Sequence, residues 1–137
     1  MPTDSHQLAR AVARLNRRLR QERQTDLTPT QLSVLGSVRV LGPSTPGAIA
    51  AYERVQPPSI TRTLNCLVDE GFALRDPHPD DGRQVIISLS DKGETVLAEE
   101  RDRRDQWLAR RLAGLTTPER KTLREATALL EQLADSE

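Results

Sequence analysis

Two arginines, Arg62 and Arg83, stand where a guanidinium can do recognition chemistry. Arg62 lies in the run Pro57-Pro58-Ser59-Ile60-Thr61-Arg62-Thr63-Leu64-Asn65. Wound as a helix at about 100° per residue, this run gathers Ile60, Leu64, Leu67 and Val68 on one arc and turns Arg62 nearly opposite its centre. The other face then offers Pro58, Ser59 and Arg62 near the N-terminus, with Thr61 and Thr63 at its edges and Asn65 and Cys66 one turn further on. Small and hydroxylated side chains permit close approach to a groove, and a guanidinium can bond a guanine edge at two points or hold a phosphate. The N-terminal amides of such a helix are expected to add an anion-binding site. The plainer alternative is a solvated helix face, for which Ser, Thr, Arg and Asn are ordinary residues.

Arg83 closes the polar stretch Asp76-Pro77-His78-Pro79-Asp80-Asp81-Gly82-Arg83, with Arg75 before it and Gln84 after it. Gly71-Phe72-Ala73-Leu74-Arg75 and the alternating Val85-Ile86-Ile87-Ser88-Leu89 flank this stretch. Two strand patterns around a turn-rich segment read as a β-hairpin with an extended tip. An arginine on such a tip can enter a minor groove, where narrow A·T tracts concentrate negative potential. The alternative is an arginine that only pairs with Asp80 or Asp81; both readings hold together if the aspartate orients it. The same acidic residues with His78 are the best case for an enzyme or metal site. Carboxylates on a short exposed loop lack the buried setting that pKa tuning needs, and no nucleophile–base constellation accompanies them. Neither catalysis nor a metal or other cofactor is expected.

The elements that must position these residues are legible from caps and periodicity. Leu8, Val12, Leu15 and Leu19 form one narrow apolar stripe on a basic helix over residues 5–24, a pattern suited to packing on a partner helix. Thr28-Pro29-Thr30-Gln31 is a helix start with a capping box. That helix runs through Leu32, Leu35, Val38 and Val40 to Gly42-Pro43. Thr45-Pro46 opens a short helix, and Pro57-Pro58 opens the next, closed by Gly71. After the hairpin a long helix starts at Ser90-Asp91, with Asp91 and Glu94 in capping-box spacing, and extends to about residue 114. Its middle, Glu99 to Gln106, is polar all round, as in a helix bridging two lobes. Thr117-Pro118-Glu119 caps a last helix bearing Leu123, Leu129, Leu130 and Leu133.

Composition narrows the partners. The chain has 137 residues, the size of one domain. Aromatics are only 2%, so the core must be aliphatic. Lys+Arg and Asp+Glu are 20 each, so an indiscriminate polyanion binder is not expected and any DNA contact must come from local clusters. The charge is nonetheless uneven: Arg10, Arg14, Arg17, Arg18, Arg20 and Arg23 face only Asp4 and Glu22 in residues 1–25. A single cysteine, Cys66, leaves no intrachain disulfide and no Cys-based zinc site. No targeting segment and no apolar run of membrane-spanning length is evident, so the expected location is the cytoplasm, without a membrane partner.

From Leu27 to Gly93 the chain resembles the MarR family, the multiple-antibiotic-resistance regulators. The resemblance rests on Leu27-Thr28-Pro29-Thr30-Gln31, on Pro57-Pro58-Ser59-Ile60-Thr61-Arg62 through Leu67 to Gly71-Phe72, and most specifically on Arg75 to Arg83 followed by Val85-Ile86-Ile87-Ser88-Leu89-Ser90-Asp91-Lys92-Gly93. It implies a mainly α fold with a small β-hairpin wing: a winged helix-turn-helix over about residues 28–92, with terminal dimerisation helices at 5–24 and 107–136, all in one domain of residues 1–137. It implies a homodimer that represses transcription from a palindromic operator in double-stranded DNA and answers to a small-molecule effector or a stress signal. The recognition helix enters the major groove with Pro58, Ser59, Thr61, Arg62, Thr63 and Asn65. The wing supplies Arg83 to the minor groove, steadied by Asp81, with Arg75 and Gln84 beside it. Leu8, Val12, Leu15, Leu19, Leu112, Leu123, Leu130 and Leu133 then form the dimer interface. The chain departs from the family pattern in two ways: Tyr52, Phe72 and Trp107 are too few for an aromatic-lined effector pocket, and Cys66 is not near the N-terminus, where oxidant-sensing members carry their cysteine. The competing reading, kept alive by the zero net charge, is a winged-helix module that binds protein and not DNA.

Overall fold

Threonine caps and N-terminal prolines fix where the helices begin. The computed structural model describes residues 3–136. In chain order they form α1 (Asp4–Gln21), α2 (Pro29–Leu41), α3 (Pro46–Glu53), α4 (Pro57–Asp69), β1 (Ala73–Pro77), β2 (Val85–Leu89), α5 (Asp91–Ala113) and α6 (Thr117–Asp135). The order is the one expected: mostly helical, with a two-stranded hairpin between α4 and α5. Thr28 and Gln31 make the full capping box on α2, each bonding the other's amide (2.9 and 3.1 Å). Thr45 caps α3. Two caps fall one residue earlier than expected. Thr116, not Thr117, caps α6, because only from there does Glu119 reach the third helical position and bond back to the cap amide (2.9 Å). Likewise Ser90, not Asp91, receives the Gly93 amide at the start of α5 (3.1 Å). The first helix stops at Gln21 rather than 24. Downstream of it the Gln24 amide donates to Glu100 (3.4 Å) and Leu27 is buried in the core, so tertiary contacts draw the chain out of the helix.

The chain divides into two compact units, one comprising Arg23–Asp102 and the other the segments up to Glu22 and from Arg103 onward. The division falls in the polar middle of α5. That stretch is not solvated all round, for Glu100 is only 5% exposed. In the central unit Leu35 and Val38 of α2, Ile49 of α3, Leu64 and Leu67 of α4 and Ile87 of β2 make an aliphatic core. Val40, by contrast, is exposed, past the end of the apolar face of α2. The hydroxyls of Ser33 and Ser37 both bond the Glu53 carboxylate, which ties α2 to the end of α3. Arg54 then takes a left-handed conformation (φ 58°) and its amide bonds back to Ala50 and Ala51, turning the chain sharply into α4. Glycine usually holds such a position, so Arg54 carries a modest local cost.

The hairpin differs from its sequence reading at one strand. β2 covers the expected residues, but β1 is displaced by two, pairing Ala73 with Leu89 and Pro77 with Val85. Gly71 takes φ 84° to terminate α4, so Gly71 and Phe72 turn the corner and the ladder begins after them. Asp76 and Pro77 therefore belong to the strand, and Pro77 closes its end, where a missing N–H is tolerated. The far edge of β2 carries a single bridge: the Ser44 and Ile87 amides exchange hydrogen bonds (3.0 and 2.8 Å), fastening the wing to the α2–α3 connection.

Candidate nucleic-acid interface

On α4 the two faces separate as the helical wheel requires. Ile60, Leu64 and Leu67 are buried and Val68 is half-buried, while Pro58, Ser59, Thr61, Arg62, Asn65 and Cys66 are exposed and Thr63 is intermediate. The expected recognition residues thus lie on one accessible helix. Their hydrogen-bonding capacity is narrower than residue types suggest. The Thr61 hydroxyl donates to the Pro57 carbonyl and the Thr63 hydroxyl to the Ser59 carbonyl (3.1 Å each). These threonines offer a partner only methyl groups and lone pairs. The expected anion site at the start of α4 is not there. Pro57 and Pro58 have no N–H, and the Ser59 amide already bonds the Gln56 carbonyl (3.1 Å), so the first turn has almost no free donor.

The wing is held by Asp81. Its Oδ1 accepts the Arg83 amide (3.0 Å) and the Arg83 Nε–H (3.3 Å), and its Oδ2 accepts the Gln84 side-chain amide (3.3 Å). The Gln84 amide closes a turn onto the Asp81 carbonyl (3.0 Å). His78 works inside the loop: its Nδ1 accepts the amides of Asp80 (3.1 Å) and Asp81 (3.0 Å). The Arg83 side chain stays 93% exposed, oriented at Nε with its terminal nitrogens outward. Asp80 makes no ion pair with Arg83; Asp81 does. Arg75 lies elsewhere than the tip. From β1 it reaches across to the Asn65 side-chain oxygen on α4.

The hydrogen bonds from the Arg83 backbone and then its guanidinium hold the Asp81 carboxyl below the usual aspartate value. A depressed folded-state pKa means the tie contributes fully above the ordinary aspartate pKa and is lost as pH falls through the lowered value. The wing turn is therefore expected to keep its form from neutral pH down to about pH 4 and to loosen only below it. An NMR titration of the Asp81 carboxyl checks this; a midpoint at or above the ordinary aspartate value would contradict it.

The base of the wing contains residues whose work the sequence did not disclose. Lys92 donates to the Glu70 carbonyl at the end of α4 (2.8 Å) and lies 4.3 Å from the centre of the Phe72 ring. Ser90 bonds Gly71 through its hydroxyl (2.5 Å) and Phe72 through its amide (3.2 Å). The Ser-Asp-Lys-Gly run is thus a clasp joining the end of α4 to the start of α5. Its only sequence signal was the family pattern.

In the other unit the expected interface residues are mostly uncovered. Leu8, Val12, Leu15, Leu123, Leu130 and Leu133 are exposed, whereas Leu19 and Leu112 are half-buried. Trp107 is buried, and the guanidinium carbons of Arg18 and Arg111 lie 5.0 and 5.1 Å from the centre of its ring. Among the described residues no cluster fit to hold a metal ion and no helix long and apolar enough to cross a membrane occurs.

Comparison with known proteins places this geometry. The MarR family model matches residues 27–85, the stretch from the start of α2 to the return of the wing. An uncharacterized HTH-type transcriptional regulator of Mycobacterium bovis is 46% identical over 129 residues, covering 93% of this chain and 90% of that protein. A solved structure from Pseudomonas aeruginosa is 36% identical and superposes with a TM-score of 0.87 over 99% of this chain and all of that one. A MarR variant from Escherichia coli, solved in complex with operator DNA, is 28% identical with a TM-score of 0.66 over 92% of each chain. These relatives are regulators, not enzymes. With its capped helix-turn-helix, its aspartate-braced wing and a relative matched over nearly its whole length, the chain belongs to the MarR family of winged helix-turn-helix transcriptional regulators.

Proposed function

We propose that this protein is a homodimeric repressor of a palindromic operator, released by a small-molecule or stress signal in the cytoplasm. The observation that carries the reading is the wing: an otherwise acidic loop spends Asp81 on presenting one fully exposed arginine. On this reading α4 lies in the major groove with Pro58, Ser59, Thr61, Arg62, Thr63 and Asn65 toward the bases, and Arg83 enters the minor groove with Asp81 and Gln84 as its support. The similar MarR variant solved on operator DNA supports the same use of the fold.

The dimer is inferred from the apolar stripes. Leu8, Val12 and Leu15 on α1 and Leu123, Leu130 and Leu133 on α6 are each more than two-fifths exposed. A two-fold pairing through these helices, with Leu19 and Leu112 at its margin, would bury them and give the single MarR-type domain its functional form. Two recognition helices would then address half-sites about one helical turn apart. The Leu130→Asp/Leu133→Asp variant is expected to sediment as a monomer at micromolar concentration while the wild type sediments as a dimer. A monomeric wild type would refute the pairing.

The functional test is selection of bound duplexes from genomic DNA, followed by titration of the selected site at increasing salt. A DNA reader loses affinity steeply as salt rises. The second reading, kept alive by the zero net charge, is a protein-interaction module, which predicts weak and salt-insensitive duplex binding.

A further inference from the structure

His78 caps the wing loop as threonines cap the helices. At the starts of α2 and α3 a threonine stands before a proline, and its side-chain oxygen accepts an amide beyond that proline. His78 stands before Pro79 and does the same with a ring nitrogen: Nδ1 accepts the amides of Asp80 (3.1 Å) and Asp81 (3.0 Å). A residue before proline favours extended backbone, the conformation a cap needs. Pro79 has no N–H, so Asp80 and Asp81 supply the first two donors after the ring. The capped turn leads into a second one. Asp81, held by its amide, places one carboxylate oxygen on the Arg83 amide and Nε–H and the other on the Gln84 side chain. Behind both turns the His78 amide donates to the Gln84 carbonyl (3.2 Å) and closes the loop. His78 is half-buried and Arg83 is exposed, so the ring is placed to hold the loop and the arginine to leave it.

We propose that His78 is a positioning residue for DNA binding: its Nδ1 holds Asp81 in place, and Asp81 in turn presents Arg83. The ring itself touches no phosphate. The proposal rests on the reading of the wing as the minor-groove element and adds the residue on which the aim of Arg83 depends.

The test titrates a selected operator with the full-length protein at one salt concentration. Two amide variants tell the ring nitrogens apart, since asparagine carries its oxygen where Nδ1 sits and glutamine where Nε2 sits. His78→Ala removes the acceptor and is expected to weaken binding about fivefold, the scale of one lost cap. His78→Asn should bind within about twofold of wild type, because asparagine is itself a good cap. His78→Gln should resemble His78→Ala. In the Arg83→Ala background, His78→Ala should change affinity by less than about twofold, because its effect passes through Arg83. A readout without DNA comes from NMR: the Asp80 and Asp81 amide protons should shift toward random-coil positions in His78→Ala and return in His78→Asn. Wild-type binding by His78→Ala would overturn the proposal. Wild-type binding by His78→Gln with a loss in His78→Asn would also overturn it, by putting Nε2 on the DNA. So would an equal loss from His78→Ala with and without Arg83. If Arg83→Ala alone binds as wild type does, the wing reading has failed and the proposal falls with it; that outcome is read in the single variant, apart from the histidine series.

Discussion

The Arg62→Ala/Arg83→Ala variant is expected to bind the operator at least about 30-fold more weakly than wild type at equal salt, with its melting temperature and oligomeric state unchanged. Each arginine–DNA contact contributes about 1–3 kcal/mol, and the two sit on different elements, so their effects should nearly add. The fold should not notice. Arg62 is exposed on the face of α4 away from Ile60, Leu64 and Leu67, and Arg83 is 93% exposed at the tip of a hairpin. The single variants separate the two roles. Loss of Arg62 should relax the choice of base at its position in each half-site, whereas loss of Arg83 should weaken related sequences together and reduce the salt slope. Gel-shift titrations of both single variants and the double variant decide it. Wild-type affinity in the double variant would mean that DNA, if bound, is bound by another face.

The largest stability effect is expected at Gly93. A Cβ built there would fall far inside the van der Waals contact of the Phe72 carbonyl oxygen and 3.2 Å from Leu89 Cδ2. The nearest obstacle is backbone and cannot swing aside as a flexible side chain would. The clasp holds both partners in place, with Ser90 bonded to Gly71, Phe72 and the Gly93 amide. Relief therefore requires parting α5 from the end of α4. Gly93→Ala should cost at least the upper end of ordinary overpacking, about 3 kcal/mol, and lower the melting temperature by roughly 10 °C or more. Gly36→Ala is the matched control. It lies inside α2 with nothing within 4 Å of the added carbon, and should stabilise by about 0.5–1 kcal/mol through helix propensity alone. Thermal unfolding of both variants, followed by circular dichroism, tests the pair. Equal melting temperatures would show that the close approach at Gly93 is not rigid.

The sequence by itself determined what local physics determines. Threonine-proline pairs set the starts of α2, α3 and α6 to within a residue, because a cap needs only its own next few amides. The apolar spacing of Ile60, Leu64, Leu67 and Val68 oriented α4, because the helical repeat is fixed by the backbone. The loop from His78 to Arg83 was readable for the same reason: Asp81 and Arg83 are two residues apart. Tertiary structure decided whatever joins residues far apart in the chain. It shifted β1 by two positions, since Gly71 had first to end α4. It bridged Ser44 to Ile87 and drew Glu100 inward to meet Gln24. It also brought Arg75 onto Asn65, ten residues apart in sequence and on different elements. No periodicity records such contacts, because they exist only once the hairpin folds back beside α4. Residue types and spacing thus picked out an exposed helix face and an exposed arginine, while the packing of the hairpin decided what those elements touch within the chain.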